Sequence, residues 1–145
     1  MKGPTEFKIL TVDDDEEIRS TISMLLECEG FQTVHAKNGR VAMDYLLASP
    51  EKELPDLILL DYMMPVMSGD DFCKMIAEDK KLSQIPVVMM TAGGNLVKLM
   101  DSVDKKADAY LSKPMDIYSV LSMIEYFLKP HTLFQGGVSP SGLAH

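Results

Sequence analysis

The chain has 145 residues, of which 46% are hydrophobic and 25% charged, which suits one domain with one core. Its formal net charge of −8 disfavours direct binding to nucleic acid or to anionic membranes. No apolar run reaches the length of a membrane span, so no membrane insertion is expected. Cys28 and Cys73 lack the spacing of a metal site, and they predict reduced thiols in a cytoplasmic protein.

Hydrophobic periodicity predicts five strands that alternate with five helices. The first helix carries acids in its first turn and has Gly30 as its stop signal. The third strand is a run without polar alternation, which is typical of a strand covered on both faces. In chain order we predict a strand over 7–12, a helix within 13–30, a strand over 31–37, a helix over 38–49, a strand over 56–60, a helix over 69–79, a strand over 85–91, a helix over 95–107, a strand over 108–112 and a helix over 115–128.

Regular alternation of this kind predicts a parallel sheet with helices on both faces. The strands of such a sheet open onto a shared crevice at their carboxyl ends, where ligands bind. We expect an N-terminal extension over residues 1–6 and the compact domain over 7–129. Residues 130–145 are rich in Gly, Ser and Pro, and they predict a flexible tail, either a linker or a vector-derived segment.

Polar side chains stand where the predicted strands end. Asp13 and Asp14 follow the first strand, Asp61 the third, Thr91 ends the fourth and Lys113 follows the fifth. Carboxylates this close repel one another unless a cation joins them, and oxygen ligands favour Mg²⁺ or Mn²⁺. A lysine and a hydroxyl beside such an ion are suited to bind phosphate oxygens.

Asp61 stands at the centre of this set, where a carboxylate can attack a phosphoryl group. Each acid taken alone fits the simpler interpretation of a helix cap. The joint pattern over four strand ends is what favours a phosphoryl-transfer site.

Four segments carry a family resemblance: "ILTVDDDEEIR", "LILLDYMMPVMSGDDF", "VVMMTA" and "ADAYLSKP". Together they resemble the signature segments of receiver domains in bacterial two-component response regulators, of the single-domain chemotaxis type. The resemblance covers about residues 7–128. It implies an α/β fold of flavodoxin-like type, a (βα)5 three-layer sandwich whose parallel five-stranded sheet has the order 2-1-3-4-5.

The resemblance also implies roles for the acids. Asp61 corresponds to the phospho-acceptor, and Asp14 to the acid that binds Mg²⁺ directly. Asp13 corresponds to the acid that holds the ion largely through water. The backbone carbonyl of Met63 corresponds to a further ligand.

Further roles concern the response to phosphorylation. Thr91 and Lys113 correspond to the groups that contact the phosphoryl oxygens, and Tyr110 to an aromatic switch residue that follows Thr91. The bond before Pro114 is expected to be cis. The surface formed by the fourth helix, fifth strand and fifth helix is then expected to change its conformation.

In function, the resemblance implies transfer of a phosphoryl group to Asp61 from a phosphohistidine on a histidine kinase or a phosphotransfer protein. The domain would catalyse only its own phosphorylation and dephosphorylation, in the cytoplasm, and act on a downstream protein that the sequence does not identify. We expect a monomer, with dimerisation on phosphorylation left open. A metal-dependent phosphatase and a flavin- or nucleotide-binding protein are alternatives. The phosphatase typically needs an acid at the position of Met63, and the nucleotide-binding protein a phosphate loop where Asp13 and Asp14 stand.

Overall fold

The computed structural model describes residues 7–92, 107–113 and 116–128. Within them it contains five strands, four α-helices and two short 3₁₀ turns, and none of the described helices is long and apolar enough to cross a membrane. We label the strands β1 to β5 and the first three helices α1 to α3, and call the last one the C-terminal helix. The bounds are β1 Lys8–Val12, α1 Glu16–Cys28, β2 Gln32–Ala36, α2 Gly39–Ala48, β3 Leu57–Asp61, α3 Gly69–Glu78, β4 Val87–Ala92, β5 Ala109–Lys113 and the C-terminal helix Ile117–Leu128, with 3₁₀ turns at Glu51–Glu53 and Leu82–Gln84.

The strands form one parallel sheet in the order β2-β1-β3-β4-β5, which confirms the predicted order. In register, Val12 lies opposite Leu60, and Asp61 opposite Met90. Further along the sheet, Ala92 lies opposite Lys113. The strands therefore end close to one edge, and residues distant in sequence meet there.

The two faces of the sheet carry separate hydrophobic clusters, so the molecule has three layers. One cluster joins Leu10, Ile58 and Met89 to side chains from α2 and α3. The other joins Ile9, Leu59 and Met90 to side chains from α1 and the C-terminal helix. Because alternate residues of each strand contribute to opposite clusters, the inner strands are apolar on both faces. All five residues of β3 are buried for this reason.

The elements begin and end where local chemistry allows. The fourth strand starts at Val87 instead of the predicted residue 85, because Pro86 has no N–H to give to the sheet and the N–H of Ile85 closes the preceding 3₁₀ turn on Leu82. Helix α1 begins only at Glu16, since the side chain of Asp15 caps it.

Several sequence predictions lie outside the described residues. These are the N-terminal extension over 1–6, the fourth helix over 95–106, Pro114 with the bond before it, and the tail over 130–145. The face that includes the fourth helix therefore remains an expectation from the sequence.

Candidate functional site

Three carboxylates meet at the carboxyl edge of the sheet. Asp13 and Asp14 follow β1, and Asp61 is the last residue of the neighbouring strand β3. One oxygen from each lies within 4.8 Å of the others. Asp13 is fully buried and Asp61 nearly so, whereas Asp14 is exposed. The predicted acid cluster thus exists in the fold, with one acid facing solvent and two facing inward.

Lys113 joins the two inner carboxylates. Its Nζ lies 2.8 Å from Asp13 Oδ2 and 3.3 Å from Asp61 Oδ1, and only 20% of its side chain is exposed. The lysine ends β5, and β4 lies between it and β3. Its register partner on β4 is Ala92. The small side chain of this residue offers little obstruction to a lysine that extends over the end of β4.

The environment shifts the protonation of Asp61 and Lys113. Burial raises the pKa of the Asp61 carboxyl, the negative charge of Asp13 adds to the rise, and Lys113 together with the N–H of Met63 offsets part of it. For Lys113, burial acts to lower the pKa, but the hydrogen bond to Asp13 and the charges of both carboxylates outweigh it, so the pKa is raised. The lysine therefore stays charged, while Asp61 is an unusually basic carboxylate. That basicity suits a nucleophile.

Asp13 is fixed by contacts on its own loop. Its Oδ1 accepts a hydrogen bond of 2.9 Å from the N–H of Asp15. The Nη1 atom of Arg19, one turn into α1, donates a 2.7 Å hydrogen bond to its backbone carbonyl. The side chain of Asp15 in turn accepts from the N–H groups of Glu17 and Ile18. The start of α1 and the acid loop therefore form one hydrogen-bonded unit.

The loop after Asp61 turns sharply. Val66 has a φ of 74°, and the N–H of Met67 donates to the carbonyl of Pro65 at 2.8 Å, which makes a γ-turn of the rare, strained kind. The side chain of Met63 is 66% exposed, so its contribution to the site comes from its main chain. Its N–H hydrogen-bonds Asp61.

Gly69 ends this loop at a close approach of two backbone segments. A Cβ atom at this position would stand 3.0 Å from the Cα of Tyr62 and 3.1 Å from the backbone oxygen of Asp61. The N–H of Gly69 also donates to the carbonyl of Tyr62 at 3.0 Å. Glycine at this position therefore lets α3 start directly against the peptide that carries Asp61.

Thr91 and Tyr110 lie on adjacent strands, on the sheet face toward α2 and α3. Thr91 is buried, and its hydroxyl has no hydrogen-bond partner among the described residues. Tyr110 is half-buried, lies opposite Met89 in register and packs on the cluster of that face. A buried hydroxyl without a partner beside an acid cluster is suited to receive a ligand oxygen.

The three carboxylates fit a small hard cation. Octahedral Mg²⁺ holds oxygens at about 2.1 Å, so opposite ligands stand about 4.2 Å apart, which is compatible with oxygens that lie within 4.8 Å of one another. The donors are all oxygen, and exposed Asp14 leaves room for waters or a phosphate oxygen on the open side. The cluster is therefore a candidate metal site of the Mg²⁺ or Mn²⁺ type.

Reasoning from the sequence found the acids, Thr91 and Lys113 but missed three supporting groups. The cap role of Asp15 has a local signal, an acid directly before "EEI". The sequence signal for Arg19 is weaker: it is a charged residue at a position of the apolar stripe that continues with Ile22 and Leu26. The γ-turn at Val66 has no signal in the sequence, since valine rarely adopts positive φ.

Comparisons with known proteins agree with this geometry. The family model for the response regulator receiver domain matches residues 9–125. The transcriptional regulatory protein CpxR of Escherichia coli is 38% identical over 122 residues, which are 84% of this chain and 49% of CpxR. The chain thus spans about half the length of this curated relative.

Solved receiver structures share the fold. The signal receiver domain of a signal transduction histidine kinase from Syntrophus aciditrophicus has a TM-score of 0.75 at 30% identity, covering 84% of this chain and 89% of that one. The chemotaxis response regulator CheY4 of Vibrio cholerae has a TM-score of 0.74 at 28% identity, covering 84% and 98% respectively. The chain therefore belongs to the response regulator receiver domains, the signalling domains of two-component systems.

Proposed function

We propose that Asp61 is the phospho-acceptor of this receiver and that Mg²⁺ or Mn²⁺ assists the reaction. The observation that carries the proposal is the position of Asp61. It stands within one cluster with Asp13 and Asp14, and Lys113 lies 3.3 Å away. With a divalent cation held by these acids, the cation and Lys113 would offset the charge of an incoming phosphoryl group, and Asp61 is the basic carboxylate placed to attack it.

The phosphodonor is a phosphohistidine of a histidine kinase or of a histidine phosphotransfer protein. An oxygen of Asp61 forms a bond to phosphorus while the P–N bond to imidazole breaks, and the leaving nitrogen keeps the electron pair and takes up a proton. Asp13, Asp14, Asp61 and the backbone carbonyl of Met63 would hold the metal ion, which would supply positive charge to offset that of the phosphoryl oxygens. Dephosphorylation adds water at phosphorus, which restores the Asp61 carboxylate and releases inorganic phosphate.

Lys113 and Thr91 then hold the product. Phosphorylation adds nearly two negative charges, and the Lys113 ammonium exchanges one carboxylate contact for a phosphoryl oxygen. The Thr91 hydroxyl, which has no partner within the described part of the chain, donates to another oxygen. Tyr110, on the same face of the sheet, moves in response to Thr91. This movement changes the surface that a downstream protein binds.

The proposed limits of the receiver are residues 7–129. We further propose that the domain catalyses only its own phosphorylation and dephosphorylation and acts on other proteins by contact. We propose a cytoplasmic location, in which Cys28 and Cys73 would remain reduced.

The test is labelling with acetyl phosphate and Mg²⁺, followed by intact-protein mass spectrometry. We expect one added phosphoryl group in the wild type, none after chelation of Mg²⁺ with EDTA, and none in Asp61→Asn, whose amide is a poor nucleophile. The control is Asp44→Asn, an exposed acid on α2 that pairs only with Arg40 among the described ion pairs, and it should label like the wild type. Undiminished labelling of Asp61→Asn would refute the assignment.

A further inference from the structure

Arg19 is a charged residue on the buried stripe of α1. It stands three and four residues before Ile22 and Ser23, which are buried against the sheet. Its side chain is half-buried, and the Nε atom is inaccessible and has no hydrogen-bond partner among the described residues. A partly buried arginine on such an apolar stripe needs a hydrogen-bond partner that compensates for the loss of contact with water.

The partner is the main chain of Asp13. The Nη1 of Arg19 donates to the Asp13 carbonyl at 2.7 Å, the shortest hydrogen bond that the structure gives to this loop. The carboxylate of the same residue is fully buried, and its two oxygens accept from the N–H of Asp15 and from Lys113. The N–H of Asp13 also donates to the carbonyl of Ala36 at 3.2 Å, so Asp13 is fixed at four points, and Arg19 supplies the only one on its backbone carbonyl within the described residues.

Other polar groups extend this region under α1. The hydroxyl of Ser23, one turn after Arg19, and that of Thr11, two residues before Asp13 on the same face of β1, are buried and have no partner in the described part of the chain. Buried groups of this kind are commonly satisfied by internal water. The Nε atom of Arg19 and these two hydroxyls are therefore buried polar atoms on the side of the sheet that α1 covers, near the acid cluster.

We propose that Arg19 is a positioning residue for the divalent cation: its hydrogen bond to the Asp13 carbonyl fixes the acid loop and thereby increases metal affinity. The inference rests on the metal site of the proposed function. A simple charge argument gives the opposite sign, because a cation beside the site repels a metal ion and its removal would tighten binding. The contact with a carbonyl, instead of a carboxylate, favours the positioning role. Second-sphere partners of metal ligands commonly change affinity about 10- to 100-fold.

The experiment is an EPR titration of the full chain with Mn²⁺, under conditions where every variant is folded. Arg19→Met removes the donor and the charge, Arg19→Gln keeps a neutral donor, and Arg19→Lys keeps a charge with a single donating group. Arg40→Met is the matched control, since Arg40 is an exposed arginine on α2 paired with Asp44. Val120→Ala creates a cavity in the core beneath the C-terminal helix. It shows whether a loss of stability alone weakens Mn²⁺ binding.

We expect Arg19→Met to weaken Mn²⁺ binding about tenfold, with Arg19→Gln and Arg19→Lys between it and the wild type, and both controls at wild-type affinity. Binding by Arg19→Met within twofold of wild type, or tighter, would overturn the inference. If Arg19→Met does not fold, Arg19→Gln decides: a loss of threefold or more supports the positioning role, and wild-type affinity contradicts it. Absence of Mn²⁺ binding by the wild type would instead refute the metal site itself.

Discussion

At the scale of single residues, the surroundings of Asp61 have opposing effects on its pKa. Burial and the charge of Asp13 favour its neutral form, and Lys113 favours its charged form. Because Lys113 makes its shorter contact with Asp13, Asp61 receives only part of the compensation. A carboxylate that is incompletely compensated lowers the stability of the metal-free protein and has a basicity suited to attack on phosphorus.

Asp61→Asn should therefore stabilise the metal-free protein at neutral pH, by about 1 kcal/mol. Burial raises the pKa of the folded Asp61 carboxyl above its ordinary value of 3.8, so the folded state binds more protons just above that value. The contribution of Asp61 to the free energy of unfolding consequently falls as pH rises through this interval, and Asp61→Asn lacks this contribution. Urea denaturation in EDTA at several pH values measures the difference, and parallel pH profiles would contradict the prediction.

Gly69 and Gly39 allow a matched comparison, because each is the first residue of a helix and each follows a side-chain cap. A methyl group at Gly69 meets backbone atoms of Asp61 and Tyr62, which cannot move independently of the site. At Gly39 its three nearest atoms belong to the side chain of Met67, with the sulfur at 3.0 Å and Cβ and Cγ at 3.2 Å. We expect Gly69→Ala to lose about 1–2 kcal/mol of stability and to label slowly with acetyl phosphate.

Gly39→Ala should lose less stability than Gly69→Ala and label normally, because the sulfur and Cγ of Met67 can rotate away and its Cβ, at 3.2 Å, needs to shift by only a few tenths of an ångström. Denaturant titration and a labelling time course measure both properties. Equal effects of the two substitutions would show that the close approach at Gly69 does not matter for the site.

At the scale of elements, three consecutive acids at the start of α1 have two different roles. Asp15 caps the helix, and Asp13 and Asp14 belong to the candidate metal site. Asp15 caps the helix through the N–H groups of Glu17 and Ile18, and its own N–H holds Asp13. Asp14, between them, is exposed and free to face a ligand. The helix cap thus fixes the direction in which its two preceding neighbours present their carboxylates.

Asp15→Ala should lose about 1 kcal/mol of stability in EDTA, the usual effect of removing a helix cap, while keeping Mg²⁺ binding. Asp14→Ala should change stability in EDTA by less than about 0.5 kcal/mol but abolish the stabilisation that Mg²⁺ gives. Thermal or urea denaturation with and without Mg²⁺ separates the two roles. Loss of the Mg²⁺ response in both variants would mean that Asp15 also takes part in metal binding.

Apolar runs that alternate with helices were sufficient to predict a parallel sheet and the polar residues at its strand ends. The strand order 2-1-3-4-5 was implied by the resemblance to receiver domains. The sequence was less informative about boundaries. Pro86 was recognised as unfavourable within a strand, yet its effect on where β4 starts depends on a 3₁₀ turn at Leu82–Gln84 that has no apolar period of its own. Short turns of this kind are determined by the elements they connect.

The contacts of the site were partly predictable for a related reason. Parallel strands place Asp13, Asp61 and Lys113 at one edge whatever their side-chain conformations. The Arg19 contact and the positive φ of Val66 depend on tertiary packing that overrides the usual preference of each residue. Such exceptions to local preference are expected near functional sites.

At the scale of the whole molecule, metal binding should be linked to folding, since only the native sheet brings the ends of β1 and β3 together. Mg²⁺ at about 100 times its dissociation constant should add about 2.7 kcal/mol to the free energy of unfolding. For a domain of this size, that corresponds to a rise in Tm of about 5–10 °C. NaCl at equal ionic strength is the control, and an equal rise with NaCl would contradict a specific site.

The ion pair between Lys113 and Asp13 joins residues that are 100 positions apart in the chain. Contacts of such long range form late, because the intervening chain must first be ordered. During synthesis, a chain that ends before β5 has the acids but no lysine to complete the site. We therefore expect nascent, truncated or misfolded copies to accept phosphoryl groups poorly, so that they do not divert the signal from receivers that have finished folding.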